Sequence, residues 1–536
     1  MIVQTHGGEE LSGRRGGFPG STSRPRRLTS FERLRQVALS GVRSTPASAP
    51  SARFSSEDYA AEHNACVHNL CMDWQDRQHE LARLDGLARR GGFGVLWGRR
   101  RVGKTRLLVE WVERHRGAYF VADESAPTLQ RHRFAEAVSG IVPGFAEVEY
   151  RDWGTLLTRL ARESERAGVR GPFVIDELPY LVMTSPELPS MLQRFLDHEA
   201  KRAKLTLVVA GSSQRMMQGL VLDREAPLFG RASESFEIRP LAAKWLGPAL
   251  GLRSAHDIVS AWNVWGGMPR YWELAADHDD RRSAVDALVL DPSGPLHDEP
   301  SRLLLEETPS ANGLRPILDA IGSGAHKISE IAGRIGSPAT SMARAMKRLV
   351  ELGLVIRETP FGEPERSTKR AIYRLADPFL RLWFALVAPK RSMLAQIDRK
   401  ARLQLFDARA PHLDAASWEQ LCRAAVPRLS DALGAEYGPT KRFWGGNFGE
   451  WDVVAESSDK ESLLLAEVKW SSKPATAELL HGAYRELMER GVPPMGTGKV
   501  VRAVFVPVLP RTRPRNLPGD MMLIDAAAVI AAAEGV

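Results

Sequence analysis

The sequence predicts an α/β protein of several domains, and three observations support this prediction. Short apolar stretches at residues 119–122, 173–175 and 205–210 alternate with helical segments, which is typical of a parallel sheet covered on both faces. Strand-like stretches return near the carboxyl end, at 449–454 and 463–470. At 536 residues the chain is also too long for one hydrophobic core. We therefore expect two α/β domains with helical segments between them.

The composition is that of a folded protein with a basic excess. Hydrophobic residues make up 43% of the chain and charged residues 26%, which is typical of globular proteins. The longest apolar runs are far too short to span a membrane, so we expect no membrane partner. Three cysteines cannot form a disulfide framework, so a reduced, cytoplasmic setting is expected. The net charge of +8 fits an anionic partner such as nucleic acid.

The first 57 residues carry much of the positive charge. Nine arginines stand there among Gly, Ser and Pro, with few acids. Such a segment cannot bury enough apolar surface to become ordered. We predict a disordered basic extension over residues 1–57, or a start codon placed too early, in preference to an organelle transit peptide.

A glycine-containing loop between the first strand, at 94–97, and an amphipathic helix predicts a phosphate-binding loop. Two glycines allow the backbone to wrap closely around phosphates. Lys104 would reach the β- and γ-phosphates, and the Thr105 hydroxyl would bind Mg²⁺. Strand, loop and helix follow one another in the order that this motif requires. The predicted ATP-binding residues are Gly98, Arg99, Arg100, Arg101, Val102, Gly103, Lys104, Thr105 and Arg106, together with Asp176 and Ser212.

Two acids end a second apolar stretch, in the sequence Gly-Pro-Phe-Val-Ile-Asp176-Glu177. Asp176 would hold Mg²⁺ through water, and Glu177 would polarise the attacking water, as in P-loop enzymes that hydrolyse nucleotide. The interval after Thr105 leaves room for one further strand. The alternative is that the two acids only begin a solvated helix.

Two later positions complete the predicted ATP site. Ser212 follows the stretch 205–210 and would lie beside the γ-phosphate. Arg231 could approach the nucleotide of the same or a neighbouring subunit and stabilise charge in the transition state. The alternative for Arg231 is a surface arginine without a catalytic role.

These motifs occur in a fixed order, together with a Gly-Gly-Pro-Tyr element. In sequence they are Arg77-x-x-Glu80, the loop 98–105, Asp176-Glu177, Gly-Ser-Ser213, Pro-Leu-Phe-Gly-Arg231 and Gly266-Gly-Met-Pro-Arg-Tyr271. The order resembles the archaeal-type P-loop ATPases of the AAA/STAND group, over about residues 72–275. The resemblance implies an ATP-hydrolysing core at 58–241 and a helical lid at 242–305, and cores of this type often form homo-oligomeric rings. Phe229 stands where a tyrosine is common.

Residues 306–376 have the spacing of a winged helix, with three helices and a hairpin. The third helix carries Arg344, Lys347 and Arg348 on its outer face, and the hairpin carries a further basic group at 366–370. Such cations suit phosphate contacts with double-stranded DNA. The alternative is that this module packs against the ATPase and transmits its state. A helical linker is expected at 377–410.

Residues 411–536 contain a second set of acids that can perform chemistry. Glu467 and Lys469 face one side of a strand because side chains alternate, and Asp452 lies on a neighbouring strand. Asp452 and Glu467 could bind Mg²⁺ for phosphodiester hydrolysis, and Glu419 on a flanking helix could complete the acid set. This pattern resembles the restriction-endonuclease-like core over about 411–510, and also the uncharacterised domain that often follows archaeal-type ATPases. The alternative is a structural ion-pair cluster.

Two hypotheses of function follow from these predictions. The first is an ATPase that couples its nucleotide state to double-stranded DNA and to a metal-dependent nuclease. The second is a signalling ATPase that binds protein partners and has an inactive carboxyl-terminal domain.

Overall fold

The computed structural model describes residues 75–307, 313–367, 369–445, 448–494, 496 and 498–533. The extension predicted at 1–57 lies outside these residues. None of the helices in the described ranges is long and apolar enough to cross a membrane.

The first sheet has five parallel strands in the order β2-β3-β4-β1-β5. Its strands are β1 (Gly92–Trp97), β2 (Ala118–Val121), β3 (Phe173–Asp176), β4 (Thr206–Gly211) and β5 (Glu234–Glu237). The prediction of a parallel α/β sheet is confirmed. One strand, β2, lies between the two motif strands in sequence, whereas β4 separates them in space. The sequence analysis missed β5, because only Phe236 of its four residues is buried.

Helices cover both faces of this sheet. They are Gln78–Arg90, Lys104–His115, Pro127–Ser139, Trp153–Ala167, Leu178–Thr184, Leu188–Phe195 and Gln214–Met217. Side chains alternate along each strand, so Val95 and Leu96 on β1 enter different hydrophobic cores. Leu108 and Trp111, at helical spacing on Lys104–His115, are fully buried, and each such side chain stabilises the fold by roughly 1.5–3 kcal/mol. This packing fixes the helix that begins at the phosphate-binding loop.

The segment after β5 is helical, as predicted for the lid. Its helices are Leu246–Leu250, Ala255–Trp265, Pro269–Ala276, Arg281–Val285 and Glu299–Glu307, with a π-helical turn at Asp286–Leu290. Ala255–Trp265 is buried along most of its length and includes Trp262 and Trp265 in the core. The lid is therefore packed firmly against its neighbours.

The middle segment contains helices and a hairpin in the predicted order. The helices are Arg315–Gly322, Ile328–Ile335 and Ala343–Glu351, the last preceded by a 3₁₀ turn at Ala339–Met342. Strands β6 (Val355–Glu358) and β7 (Ile372–Leu375) are antiparallel. Arg344 and Lys347 are exposed on the third helix. The connection between the strands contacts the carboxyl-terminal sheet, since the Phe361 N–H donates to the Arg442 carbonyl at 2.7 Å.

The last part of the chain begins with helices and continues into a mixed sheet. Helix Arg399–Ala425 runs without a break through residue 411, where the sequence analysis placed a domain boundary. The sheet has the order β12-β11-β10-β9-β8, with β8, β9 and β10 antiparallel and β10, β11 and β12 parallel. Its strands are β8 (Lys441–Gly445), β9 (Phe448–Glu456), β10 (Ser462–Val468), β11 (Lys499–Phe505) and β12 (Met521–Ile524). The other helices of this part of the chain are Pro378–Leu382, Arg391–Leu394, Ser430–Leu433, Ala477–Arg490 and Ala526–Ala532. Only β9 and β10 were predicted, and the second α/β domain is confirmed.

Candidate functional site

The loop after β1 has the backbone conformation that its glycines permit. Gly98 has φ +154° and Gly103 has φ +95°, and both lie where L side chains are strained. A Cβ at Gly98 would lie 2.4 Å from the Ile238 carbonyl oxygen. The loop can therefore approach β5 closely only with glycine at this position.

Lys104 is held inside this loop. Its side chain is buried, and Nζ donates to the carbonyls of Gly98 at 2.9 Å and of Arg99 at 3.2 Å. Helix Lys104–His115 begins at the same residue, so its positive end faces the loop. An ammonium group and a helix amino terminus thus converge where the phosphates were predicted. Arg100 is exposed, and Arg106 lies in the first turn of the helix.

Asp176 is fully buried at the end of β3 and joins two hydroxyl groups. Its Oδ2 accepts from Thr105 Oγ1 at 2.9 Å and from Tyr119 OH at 2.8 Å. Burial and the Asp176 charge raise the pKa of Tyr119 well above its ordinary value, so Tyr119 stays protonated and donates. A carboxylate beside a threonine hydroxyl is an oxygen donor set that suits Mg²⁺. The predicted metal-binding pair is therefore brought together, and Tyr119 is a neighbour that sequence reasoning missed.

Glu177 is positioned by its own strained backbone and by Ser212. Its φ of +55° is unusual for a residue other than glycine. Its Oε2 accepts from the Ser212 N–H at 3.1 Å and from Ser212 Oγ at 2.9 Å, across the ends of β3 and β4. Burial, and then the charge of Asp176, raise the pKa of Glu177, while Lys104 opposes the shift. A carboxylate with a raised pKa can accept a proton from water.

Arg77 binds the backbone of the phosphate-binding loop. The residue is 5% exposed, and Nη2 donates to the carbonyls of Val102 and Arg239, both at 2.8 Å. Nη1 donates to Glu80 at 2.9 Å. The Arg77-x-x-Glu80 motif was recognised in the sequence without a role, and the structure shows that it links the loop to the chain after β5.

Two arginines of the loop form ion pairs with distant acids. Arg99 Nη1 lies 3.0 Å from Asp377, and Arg101 Nη1 lies 2.5 Å from Glu299. Both acids are buried. Asp377 also accepts from the Phe379 N–H at 2.9 Å and so caps helix Pro378–Leu382. The loop is thus tied both to the helical lid and to the helix that leads into the last domain, which the sequence analysis did not foresee.

The Gly-Gly-Pro-Tyr element packs against this arrangement. A Cβ at Gly267 would lie 2.4 Å from the Leu241 carbonyl oxygen, and a Cβ at Gly103 would lie 3.7 Å from Pro269. Tyr271 OH donates to Glu299 at 3.2 Å. The element therefore holds the lid against the phosphate-binding loop.

Arg231 binds a carboxylate of its own chain. Nε and Nη2 donate to the two oxygens of Asp197, both at 2.9 Å, and Nη1 donates to the Pro227 carbonyl at 2.9 Å. The arginine is held at the surface of the core, with about a quarter of its side chain exposed. These contacts do not bring it to the nucleotide loop of the same chain.

In the last domain, Asp452 and Glu467 lie on adjacent antiparallel strands, β9 and β10. Asp452 Oδ2 accepts from the Val468 N–H at 3.0 Å. Burial, and then the charges of Glu467 and Glu419, raise the pKa of Asp452 to about 7. The structure therefore brings the predicted acids together, with Glu419 near enough to act on Asp452 electrostatically.

Basic side chains occupy much of the coordination capacity of Glu467. Its oxygens accept from Lys469 Nζ at 2.9 Å and from Arg490 Nη1 at 2.6 Å. Glu486 accepts from Lys469 Nζ at 2.9 Å. Burial lowers the pKa of Lys469, but hydrogen bonds to Glu486 and Glu467 and the charges of these two carboxylates outweigh burial and raise the pKa above its ordinary value. Across the described residues, no three His, Cys, Asp or Glu side chains are grouped so that they could hold one metal ion. Arg490 and Glu486 were missed by sequence reasoning because arginine and glutamate near a helix end are ordinary surface residues.

Comparison with known families identifies two parts of the chain. Residues 74–274 match a family described as an ATPase domain predominantly from Archaea. This segment is an archaeal-type P-loop ATPase domain. The match contains the loop, the two acids at the end of β3 and the Gly-Gly-Pro-Tyr element. Residues 383–479 match a family described as archaeal and bacterial proteins of unknown function. The predicted combination of an archaeal-type ATPase with this uncharacterised domain is confirmed.

Individual proteins are similar to this chain at low sequence identity. The uncharacterised protein MJECL04 of Methanocaldococcus jannaschii is 27% identical over 409 residues, which are 74% of this chain and 87% of that protein. Among solved structures, the Walker-type ATPase PABY2304 of Pyrococcus abyssi has a TM-score of 0.47 at 18% identity, covering 58% of this chain and 95% of its own. The Aeropyrum pernix ORC2 protein has a TM-score of 0.38 at 13% identity, covering 62% and 95%.

Proposed function

We propose that this protein hydrolyses ATP at the site formed by Lys104, Thr105, Asp176 and Glu177, and couples its nucleotide state to double-stranded DNA. One observation carries the proposal of ATP hydrolysis. The carboxylate of Glu177 is fixed by Ser212 beside the Thr105–Asp176 pair, with a pKa raised by burial. A switch that only binds nucleotide has no need of a second, positioned carboxylate at this point.

Each residue of the site has a distinct part in this reaction. The loop and Lys104 bind the phosphates, and Thr105 and Asp176 would hold Mg²⁺, which supplies charge neutralisation. Glu177 orients the attacking water and accepts its proton. Ser212 keeps the carboxylate of Glu177 turned toward that water through its two hydrogen bonds.

The two ion pairs of the loop offer a route by which nucleotide binding can act on the rest of the chain. Phosphates placed in the loop compete with Asp377 and Glu299 for the positive charges of Arg99 and Arg101. Both pairs are largely buried, at 12% and 5% exposure for Arg99 and Asp377, so their interaction is poorly screened. Since Asp377 caps the helix that enters the last domain, a change at Arg99 alters the support of that helix.

DNA contact is proposed through the exposed cations of the middle domain. Arg344 and Lys347 on the third helix are exposed, as are Arg366 and Lys369 in the hairpin connection. Arg370 is not available in this way, because it pairs with Glu363 and donates to the Trp444 carbonyl at 3.1 Å. The remaining cations suit phosphate contacts rather than base reading.

A signalling ATPase with an inactive last domain is the second candidate. It is favoured by the double pairing of Glu467 with Lys469 and Arg490, because a carboxylate neutralised by two cations is a poor metal ligand. In this case the last domain would bind a protein partner, and DNA would leave the rate of ATP hydrolysis unchanged.

The test is Mg²⁺-dependent ATP hydrolysis by the wild type and by Glu177→Gln, each with and without double-stranded DNA. Glu187→Gln is the matched control, since Glu187 is an exposed acid of the same domain. We expect hydrolysis to rise with DNA, to disappear in Glu177→Gln and to be unchanged in the control. Equal rates in all three proteins would show that Glu177 does not act on the attacking water. Hydrolysis that is indifferent to DNA would favour the signalling function.

A further inference from the structure

Four guanidinium groups from four elements meet where the middle and last domains join. Arg374 lies on β7, Arg381 on the helix that begins at Pro378, Arg423 on helix Arg399–Ala425 and Arg442 on β8. Burial, and then the charge of Arg442, lower the pKa of Arg374, and Arg423 contributes in the same direction. Burial lowers the pKa of Arg381 to about 10. The charge of Asp377 opposes this shift, and the charges of Arg374 and Arg423 add to it. These cations are close enough to repel one another.

Several N–H groups in this arginine cluster have no acceptor. Arg442 is 8% exposed, and Nη2 pairs with Glu450, but Nε and Nη1 are buried without a hydrogen-bond partner in the described part of the chain. Nε of Arg374 and Nε of Arg381 are also buried and unpartnered. Arg374 Nε lies 3.8 Å from Glu358, which is too far for a hydrogen bond. Buried charged donors without acceptors are strongly unfavourable, so they indicate a missing partner.

The carboxylates around the cluster do not satisfy all of its hydrogen-bond donors. Asp377 already pairs with Arg99, and Glu450 keeps about half of its side chain in solvent. Glu419 lies 3.6 Å from Arg423, and Glu358 lies 3.8 Å from Arg374. These acids therefore leave the buried N–H groups of Arg374, Arg381 and Arg442 without an acceptor.

We propose that the arginine cluster binds a phosphate group, held by Arg442, Arg374 and Arg381. A tetrahedral oxyanion supplies several acceptors to planar guanidinium groups and neutralises more than one of them. The site is separate from the phosphate-binding loop, and it does not depend on ATP hydrolysis. Arg423 Nη1 donates to the Asp452 carbonyl at 3.2 Å, so the bound phosphate would lie beside the acids of the last domain. The phosphate is either inorganic or the terminal phosphate of a nucleic acid.

The experiment uses the full chain with Lys104→Ala, which weakens phosphate binding by the nucleotide loop. Equilibrium dialysis with radioactive inorganic phosphate, at constant ionic strength in chloride, measures the number of bound ions and their affinity. We expect one phosphate per chain, and an affinity at least tenfold lower after Arg442→Gln or Arg381→Gln is added. Arg402→Gln is the matched control, because the Arg402 side chain is 12% exposed, close to the 9% of Arg442, but its Nε and Nη2 pair with Asp286 and Asp291. The Lys104→Ala protein with Arg402→Gln added should bind phosphate with unchanged affinity.

Thermal unfolding gives a second readout of the same site. Phosphate at about a hundredfold excess over its Kd should raise the Tm of Lys104→Ala by roughly 2–5 °C, and the rise should be absent when Arg442→Gln is added. If the Arg442→Gln protein does not unfold cooperatively, Arg442→Lys replaces it in the test. The lysine keeps the positive charge, and this protein should bind phosphate more weakly than the protein with Arg442 does. Competition by a 5′-phosphorylated duplex, but not by the same duplex without the phosphate, identifies a nucleic-acid end as the source. Failure of both duplexes to compete identifies free phosphate.

Two results would overturn the proposal. One is the absence of bound phosphate in the Lys104→Ala protein. The other is equal phosphate affinity with Arg442→Gln, Arg381→Gln and Arg402→Gln, which would show that the ion binds elsewhere on the surface.

Discussion

Replacing Asp452 by asparagine should remove a pH-dependent part of the stability of the last domain. Asparagine has nearly the same shape, and its carbonyl can still accept from the Val468 N–H, which donates to Asp452 at 3.0 Å. What the substitution removes is the ionisation of a carboxyl group whose pKa is raised to about 7 by burial and by Glu467 and Glu419. The ordinary pKa of this group is 3.8.

The size and sign of the effect follow from this difference in pKa. Because the folded state holds the proton more tightly than the unfolded state, the stabilisation is fully present below pH 4. This stabilisation is lost as the pH rises from 4 to about 7, and above that pH the free energy of unfolding no longer changes through this group. A shift of about three pKa units corresponds to about 4 kcal/mol, which is an upper bound because solvent reaches part of the side chain. The wild type should therefore lose up to about 4 kcal/mol more than Asp452→Asn between pH 4 and pH 8.

Hydrogen exchange measured by mass spectrometry can follow this domain alone. The exchange of peptides that cover β9 and β10, corrected for the intrinsic pH dependence of exchange, gives the local free energy of opening. Asp459→Asn is the control, since hydrogen bonds with Ser457 and Glu461 lower the pKa of Asp459, in the direction opposite to the shift at Asp452. Added Mg²⁺ should weaken the pH dependence of the wild type if Asp452 and Glu467 bind the ion.

Parallel pH profiles for the wild type and Asp452→Asn would refute this reasoning. That result would mean that Asp452 is ionised at pH 5 in the folded protein, and that water or a cation compensates for its burial.

Three further predictions concern the ATPase site, its connection to Asp377 and the acids of the last domain. Arg77→Lys cannot donate to both carbonyls that Arg77 now binds, and leaving one buried acceptor unsatisfied costs about 1–3 kcal/mol. Isothermal titration calorimetry should therefore show ATP binding weakened about tenfold or more. The control, Arg90→Lys at an exposed position, should bind ATP as the wild type does. Asp377→Asn removes the charge that pairs with Arg99; hydrolysis without DNA should persist while its stimulation by DNA is lost, and retained stimulation would contradict the coupling route. Lys469→Ala should abolish any Mg²⁺-dependent DNA cleavage while ATP hydrolysis remains, and unchanged cleavage would place the nuclease elsewhere.

Much of the ATPase site could be predicted from the sequence because its parts lie at the ends of adjacent parallel strands. The contact between Thr105 and Asp176 follows from a loop after β1 and an acid at the end of a buried strand, since the carboxyl ends of parallel strands meet at one edge. The order of the motifs also identified the lid. By contrast, β5 escaped notice because it presents one buried Phe236 among polar residues, without the apolar run that marked its neighbours.

The remaining contacts of both sites depend on long-range packing that no local pattern encodes. Arg99 meets Asp377 across a separation of 278 residues, and a lone Asp before a proline is ordinary helix-cap chemistry. Arg490, at the end of a helix, gave no sign that it would neutralise Glu467. The sequence could therefore predict where the acids of the last domain lie, but not which cations they would meet.

The position of Asp377 bears on how the two halves of the chain would act together under the proposed function. One carboxylate caps the helix at Pro378, pairs with Arg99 of the nucleotide loop and lies against Gly266 of the lid, where an added Cβ would be 3.2 Å from its oxygen. The helix cap and the ion pair use one oxygen each, so a movement of Arg99 toward phosphate leaves a buried charge with fewer partners, which is costly. The helix must then shift or find another partner. Under the proposed function, the loop that binds phosphate is thereby linked to the segment that carries Arg381 and leads to the acids of the last domain.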